Sequence, residues 1–205
     1  MGRQGIFTAD NGLAAYELLF RSPGRMGLRV DLWNSRQQDR ATEHVIAAAF
    51  HHGEDVTHGL PAFVNFTRSY LLDRDSLHCD PRAVVIEVVE SAYADDALRS
   101  RLAQLRDMGF RVAIDDFIGT RSQVELLSHA DFVKIDYRDL VARGDALVDL
   151  ARTHASTLIA ERVETRTAMI ECQALGFDLY QGHLFEPAIV VERAEQVAKA
   201  TGIKA

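Results

Sequence analysis

The sequence lacks the features that define several large classes of protein. It contains only two cysteines, Cys79 and Cys172, which are far too few for a disulfide scaffold. Its uncharged apolar stretches, such as residues 45–50, fall far short of the ~20 residues that a membrane span needs. Residues 1–10 contain no cationic segment followed by an apolar one, so no secretory signal is recognised. We therefore expect a soluble, cytoplasmic protein with no membrane partner.

Positive charge is also scarce. The chain has 23 Lys and Arg residues against 30 Asp and Glu residues, a formal net charge of −7 that argues against binding to DNA or RNA. A small anionic ligand is compatible with this charge, because a metal ion or a few local cations dominate the field of one cleft. A composition of 47% hydrophobic and 26% charged residues is typical of a globular protein, and 205 residues predict a single domain over 1–205.

Short runs rich in β-forming residues alternate along the chain with longer stretches of helical period. The predicted strands are 13–20, 62–66, 83–89, 111–114, 131–135, 157–160 and 177–181. The predicted helices are 36–50, 95–108, 121–127, 138–154, 166–175 and 191–201. Alternation at this spacing predicts an α/β fold with a parallel sheet.

The first predicted strand is not followed by a glycine-rich phosphate loop, which disfavours a dinucleotide-binding fold. Nearly every predicted strand ends instead in a carboxylate, an amide or an amine. These residues are Glu17, Asn65, Glu87, Asp115 with Asp116, Lys134, Glu161 and Gln181. In a closed barrel the carboxyl ends of all strands converge, whereas in an open sheet they lie along an edge. We therefore predict a compact TIM-like (β/α) barrel with its active site at the carboxyl ends of the strands.

Carboxylates gathered with an amide provide hard oxygen ligands, which favour Mg²⁺ or Mn²⁺ over zinc. The adjacent Asp115 and Asp116 can bridge two such ions, and two metals ~3.5–4 Å apart fit the in-line hydrolysis of a phosphodiester. Lys134 can orient the attacking water or stabilise developing negative charge, and Arg21 can bind a phosphate. A single strand-end carboxylate is more often a helix cap or a solvated residue, but the same polar bias at seven strand ends favours a site.

Seven short motifs follow one another along the chain. They occupy residues 16–21, 63–65, 86–91, 113–117, 133–136, 160–165 and 180–185. In this order they resemble the EAL domain, a family of barrel-fold phosphodiesterases that open cyclic di-GMP to linear pGpG. Leu18 stands where the alanine that gives the family its name usually lies. The resemblance extends from about residue 4 to residue 187, nearly the whole chain.

The resemblance implies a two-metal site and a function for each matching residue. The implied metal ligands are Glu17, Asn65, Glu87, Asp115 and Asp116. Glu161 would help to hold the second metal, and Lys134 would assist the attacking water.

The remaining matched residues have implied roles around the metals. Glu164 and Gln181 would line the site, and Arg21 would contact a phosphate of cyclic di-GMP. Glu90 would anchor the loop after the double aspartate without touching metal.

Four features depart from the pattern of active members. Ile118 and Arg162 each stand where a glycine is usual, Gly5 stands where a proline is usual, and the segment 181–187 is one residue short. Because Ile118 does not readily take the positive φ of glycine, the loop after Asp116 must follow a different path. Together these departures resemble the EAL part of EAL-HDOD proteins, a divergent branch whose phosphodiesterase activity is often in doubt.

Two hypotheses follow. The first is a slow, metal-dependent cyclic di-GMP phosphodiesterase, which we favour because drift in an inactive enzyme would be expected to remove a costly carboxylate. The second is an inactive module that binds cyclic di-GMP or a protein partner, in which Arg162 neutralises two site carboxylates in place of a metal. We also expect a weak homodimer, formed through apolar surface at Ile118, Val124 and Leu126. Asp136 is predicted either to join the site or to cap the helix after it.

Overall fold

One mixed sheet organises the structure. The computed structural model describes residues 1–20, 34–50, 56–154 and 156–191, and nine strands lie within them. They are β1 (Gly2–Thr8), β2 (Leu13–Leu19), β3 (Ala62–Phe66), β4 (Val84–Val88), β5 (Arg111–Ile114), β6 (Phe132–Asp136), β7 (Thr157–Glu161), β8 (Leu179–Tyr180) and β9 (Ile189–Val190).

The sheet closes on itself through β1. Strands β2 to β8 are parallel neighbours in chain order, and β1 pairs antiparallel with both β2 and β8. The ninth strand, β9, pairs antiparallel with β1 outside this ring. The result is a closed barrel of eight strands, so the prediction of a TIM-like barrel is confirmed.

Seven α-helices lie within the described ranges. They are α1 (Ser35–Phe50), α2 (Arg68–Leu72), α3 (Asp96–Asp107), α4 (Arg121–Leu126), α5 (Tyr137–Arg143), α6 (Ala146–Ala151) and α7 (Arg166–Ala174). The single helix predicted over 138–154 is wrong, because Gly144 takes a φ of 78° and ends α5 before α6 begins. No described helix has the length and apolar character needed to cross a membrane. The helix predicted over 191–201 lies, beyond Val191, outside the described residues.

The sequence reasoning missed β1 and β9. Strand β1 contains glycine, arginine and glutamine, which have little preference for strands, and β9 has only two residues. Their pairing is set by tertiary context, since β1 is paired along most of its length with β2, from Gly2 opposite Leu19 to Phe7 opposite Leu13. This context is not visible in a local sequence pattern.

An apolar layer fills the inside of the barrel below the polar strand ends. This inner apolar layer consists of Ile6, Ala15, Phe63, Val85, Ala113 and Ile159, with Phe132 and Leu179 packed against them. Because side chains alternate along a strand, the residue two positions further toward the carboxyl end also points inward. Those residues are Glu17, Asn65, Glu87, Asp115, Lys134, Glu161 and Gln181. In the antiparallel β1 the equivalent residue precedes Ile6 and is Gln4.

We call these eight side chains, the seven above and Gln4, the polar ring. The strand period therefore places the whole ring in one layer on top of the inner apolar layer.

The outward-facing strand residues pack against the helices. Helix α3 contributes Leu98, Leu102 and Leu105, which are fully buried at one-turn spacing. Asp95 caps the start of this helix, since its side chain accepts a 2.9 Å hydrogen bond from the backbone N–H of Leu98. The core between the sheet and the helices thus fixes the backbone that carries the polar ring.

The surface assigned to a dimer contact is less apolar than the sequence suggested. Leu126 is only 2% exposed and belongs to the core of the protomer, so it is not available to a second copy. Val124 is half-buried and packs against the same core. The homodimer itself stays a prediction.

The inner apolar layer supports the barrel, and Ile159 tests this. Ile159→Ala should lower the free energy of unfolding by about 2–5 kcal/mol, because Ile159 is fully buried directly below Glu161. Ile170→Ala is the matched control, since Ile170 is 57% exposed on α7 and its loss should cost no more than about 0.5 kcal/mol. Urea denaturation of both variants measures the difference, and equal losses would contradict a packed barrel interior.

Candidate functional site

A buried lysine lies at the centre of the polar ring. The Nζ atom of Lys134 forms an ion pair with Glu87, and it lies 2.7 Å from Glu161 Oε1 and 3.3 Å from Asp115 Oδ1. Glu17 Oε2 lies 3.6 Å from the same atom. The carboxylates of four strands therefore meet at one point, as the strand-end pattern predicted.

Gln181 connects Glu17 to a further ring member, Gln4. Gln181 donates from Nε2 to Glu17 and also, over 3.2 Å, to Gln4 Oε1. Gln4 was missed by sequence reasoning because β1 was missed. A signal was present, because one residue separates the apolar Ile6 from Gln4. The other strands show the same spacing in the opposite chain direction.

Three oxygens of the polar ring are buried without a hydrogen-bond partner among the described residues: Asn65 Oδ1, Glu87 Oε2 and Gln181 Oε1. Buried oxygen atoms in proteins are normally satisfied, so a cluster with three such atoms needs an explanation. All three are carboxylate or amide oxygens, the hard donors that divalent cations prefer. The donor set therefore fits a divalent metal held by Asn65 and Glu87 together with Glu17 and Asp115.

The ionisation of the ring reflects burial and crowding. Burial raises the pKa of Glu87 well above its usual range, with Asp115 and Glu17 adding to the effect and Lys134 opposing it. Burial likewise raises the pKa of Glu161 to about 8. For Lys134, burial opposes the charged form, but the surrounding carboxylates outweigh it and raise the pKa. The single ammonium group of Lys134 is thus surrounded by more negative charge than it can neutralise.

A cavity of about 430 Å³ opens above the polar ring. Its lining includes the carboxylates Glu17, Asp115, Asp116, Glu161 and Glu164. Glu164 is exposed and lines the cavity, as does the buried Gln181. The roles that the sequence implied for these two residues stay predictions.

Asp116 and Glu90 form a second group of oxygens with Asp115. One carboxylate oxygen of each lies within 4.8 Å of the others, a spacing that suits a metal ion. Partial burial and the neighbouring Asp115 raise the pKa of Asp116 to about 6. Glu90 was expected to anchor the loop without touching metal; that role stays a prediction, and its carboxylate is nonetheless placed beside the double aspartate.

The backbone at and after the double aspartate includes two residues in the left-handed region. The positive φ values fall on Asp116 (41°) and Gly119 (73°) and not on Ile118. A left-handed conformation at a non-glycine residue costs roughly 1–2 kcal/mol, so the loop must be held in place by its surroundings.

Gln123 holds this loop from inside. Its side chain is buried, donates from Nε2 to the carbonyl oxygens of Asp116 (2.9 Å) and Asp115 (3.3 Å), and accepts from the N–H groups of Ile118 (3.0 Å) and Thr120 (3.1 Å). Sequence reasoning missed Gln123. A signal existed, because Thr120 and Gln123 form a capping box at the start of α4, and this pattern is recognisable in sequence.

Three sequence predictions concern residues beside the ring. Asp136 caps α5, accepting a 2.8 Å hydrogen bond from the N–H of Arg138, which resolves the alternative left open for it. The idea that Arg162 neutralises site carboxylates is not supported, because its Nε forms a 2.8 Å ion pair with Asp136 Oδ2 instead. Arg21, the predicted phosphate-binding residue, lies outside the described residues.

A closed barrel with oxygen donors clustered at the carboxyl ends of its strands defines a TIM-type barrel with a candidate divalent-metal site. The model of the EAL domain matches residues 35–188, more than half of the chain. The chain belongs to the EAL domain family.

Two relatives illustrate the similarity. YuxH, an uncharacterized protein of Bacillus subtilis (strain 168), is 31% identical over 199 residues, which cover 93% of this chain and 47% of YuxH. The cyclic di-GMP phosphodiesterase CdgJ of Vibrio cholerae is 29% identical over 207 residues, which cover 94% of this chain and 45% of CdgJ. The chain thus spans about half the length of these curated relatives.

A solved structure agrees with the fold. The YkuI protein of Bacillus subtilis, an EAL-domain protein crystallised in complex with substrate c-di-GMP and calcium, matches with a TM-score of 0.72 at 21% identity. The match covers 98% of this chain and 58% of YkuI. At this level of identity the likeness supports the barrel fold.

The charge balance of the ring predicts opposite effects for two substitutions. Lys134→Met should destabilise the metal-free protein by about 3–5 kcal/mol, because four carboxylates would lose their cation. Glu87→Gln should leave the stability unchanged or raise it, since Lys134 keeps three carboxylate partners and like-charge repulsion falls. Thermal unfolding in the presence of a chelator measures both effects.

Glu87→Gln also tests the metal site. Glu87→Gln should weaken Mn²⁺ binding at least about tenfold in titration calorimetry, because a charged ligand becomes neutral. A severe loss of melting temperature in Glu87→Gln without metal would instead identify Glu87 as a structural residue.

Gln123 should control the position of the double aspartate. Gln123→Ala removes five hydrogen bonds to the loop and should cost about 1–3 kcal/mol of stability, together with weaker Mn²⁺ binding. Gln173→Ala is the matched control, because Gln173 is an exposed glutamine on α7. Equal Mn²⁺ affinities for Gln123→Ala and the unmutated protein would show that Gln123 supports only the fold.

Proposed function

We propose that this chain is a metal-dependent phosphodiesterase that hydrolyses cyclic di-GMP to linear pGpG. The convergence of the polar ring carries this proposal: four carboxylates meet at Lys134, while Asn65 Oδ1 and Glu87 Oε2 are buried without partners. Membership of the EAL domain family and the similarity to CdgJ support the choice of substrate.

Mg²⁺ or Mn²⁺ is the proposed cofactor, because the donors are carboxylate and amide oxygens. Glu17, Asn65, Glu87 and Asp115 would hold one ion. Asp115 would share the second with Asp116 and Glu161. When bound, two such ions supply Lewis-acid activation and charge stabilisation for phosphodiester hydrolysis.

The chain's own groups supply the rest of the reaction. Lys134, held by its carboxylate partners, would orient the attacking water and stabilise the negative charge that develops on the phosphate. Water attacks one phosphorus, the bond from that phosphorus to the 3′ oxygen breaks, and the 3′ oxygen receives a proton. Glu164 and Gln181 would line the substrate cavity, and Arg21 would bind a phosphate.

We expect turnover to be slow. Asp116 has a positive φ and belongs to a loop that differs from the usual glycine-containing one, so the second metal would be held less well than the first. On the basis of Ile118 and Arg162, we also propose that the chain belongs to the EAL-HDOD branch of the family. The homodimer and the single-domain organisation over residues 1–205 likewise remain proposals.

The decisive experiment is product analysis. The unmutated protein incubated with cyclic di-GMP and Mn²⁺ or Mg²⁺ should release pGpG, quantified by liquid chromatography. Lys134→Ala should lose about a hundredfold in rate while still binding the dinucleotide. Because Lys134 also neutralises the ring, Glu87→Gln serves as a second variant that keeps the fold and should lose activity.

Each alternative has its own outcome. Binding of cyclic di-GMP without any pGpG after prolonged incubation with either metal would replace the enzyme by a receptor. Neither binding nor hydrolysis would leave a protein-interaction module as the surviving hypothesis.

A further inference from the structure

Arg162 has a backbone conformation that disfavours its own side chain. Its φ is 51°, in the left-handed region where any residue other than glycine is strained. It follows Glu161 at the end of β7, directly beside the polar ring. Strain at such a position persists where the surrounding structure imposes it, and it is often connected with function.

Arg162 lies at the candidate site, and its side chain is accessible. Arg162 lines the cavity above the polar ring, and 59% of its side chain is exposed. Its Nε is fixed 2.8 Å from Asp136 Oδ2, and Asp136 itself is only 3% exposed. A buried carboxylate thus holds the guanidinium by one nitrogen, while the two terminal nitrogens are not used in this ion pair.

An anionic ligand in this cavity would need a cation to offset the negative charge of the lining residues. Five carboxylates line it, and Arg162 is the only lysine or arginine among the lining residues in the described part of the chain. Lys134 does not fill this need, because its side chain is 1% exposed and is already paired with carboxylates. The field of these described lining residues would therefore repel a phosphate except near Arg162 and any bound metal.

We infer that Arg162 binds a phosphate group of the cyclic dinucleotide and sets the affinity for it. This inference rests on the proposed function. A guanidinium held through Nε presents its remaining N–H donors in a planar arrangement that matches phosphate oxygens. The ion pair with Asp136 orients these donors before the ligand arrives, which reduces the entropy lost on binding.

The test separates the charge of Arg162 from its backbone. Arg162→Asn removes the charge and keeps a residue that tolerates a positive φ, and Arg162→Gly removes the strain as well. Arg138→Asn is the matched control, because Arg138 binds the same carboxylate of Asp136, is 69% exposed and does not line the cavity. Cyclic di-GMP is titrated into each protein by calorimetry in Ca²⁺, and Mn²⁺ is titrated separately.

Both Arg162 variants should bind cyclic di-GMP about tenfold more weakly, while Arg138→Asn should bind it as the unmutated protein does. Mn²⁺ affinity should be the same in all four proteins, because Arg162 touches no proposed metal ligand. The melting temperature of Arg162→Gly should not fall by more than about 4 °C, since relief of strain offsets the lost ion pair.

The failures are distinguishable. Equal cyclic di-GMP affinities for the unmutated protein and both Arg162 variants would overturn the assignment of Arg162 and leave the proposed function intact. An equal loss in Arg138→Asn would also overturn it, since the effect would then arise from Asp136. If the unmutated protein binds Mn²⁺ but no cyclic di-GMP, both the proposed function and this inference fail.

Discussion

The structure of this barrel depends on one buried ammonium group among carboxylates. Lys134 is the only group in the ring that neutralises Glu17, Glu87, Asp115 and Glu161, as far as the described residues extend. Such a cluster is costly to bury and is compensated only in part, which explains why burial and crowding raise the pKa values of Glu87 and Glu161. The polar ring therefore carries an excess of negative charge that divalent cations would neutralise. The same carboxylate groups thus affect both the stability of the fold and the binding of metal.

The alternation of side chains along the strands creates this site. On each of the eight barrel strands one residue separates the inner apolar layer from the polar ring, so the packing that stabilises the barrel also fixes the height of the ring. Changes in the inner apolar layer would therefore move functional oxygens even without contacting a ligand. Other contacts position the loops: Gln123 holds the backbone of the double aspartate, and Asp136 holds the side chain of Arg162.

The features that could be predicted from sequence are those that follow from strand period and strand order. Glu87 and Lys134 were found because each ends a strongly apolar run, and parallel strands bring such ends together. Gln4 was not found, because β1 has weak strand preference and is positioned by its neighbours. The partner of Arg162 was not found either, because its ion pair with Asp136 joins the ends of β6 and β7, which are distant in sequence and adjacent only in the sheet.

Because β1 closes the barrel, the folding unit must include the two strands that precede the first helix. Without β1 and β2, residues 34–191 would retain the helices and most of the core, but β3 and β8 would become open edges with unpaired backbone N–H and C=O groups. Exposed edges of this kind promote pairing between chains and aggregation. Such a fragment would also lack Gln4 and Glu17. Strands β1 and β2, which precede the first helix, are therefore as necessary to a monodisperse protein as the hydrophobic core.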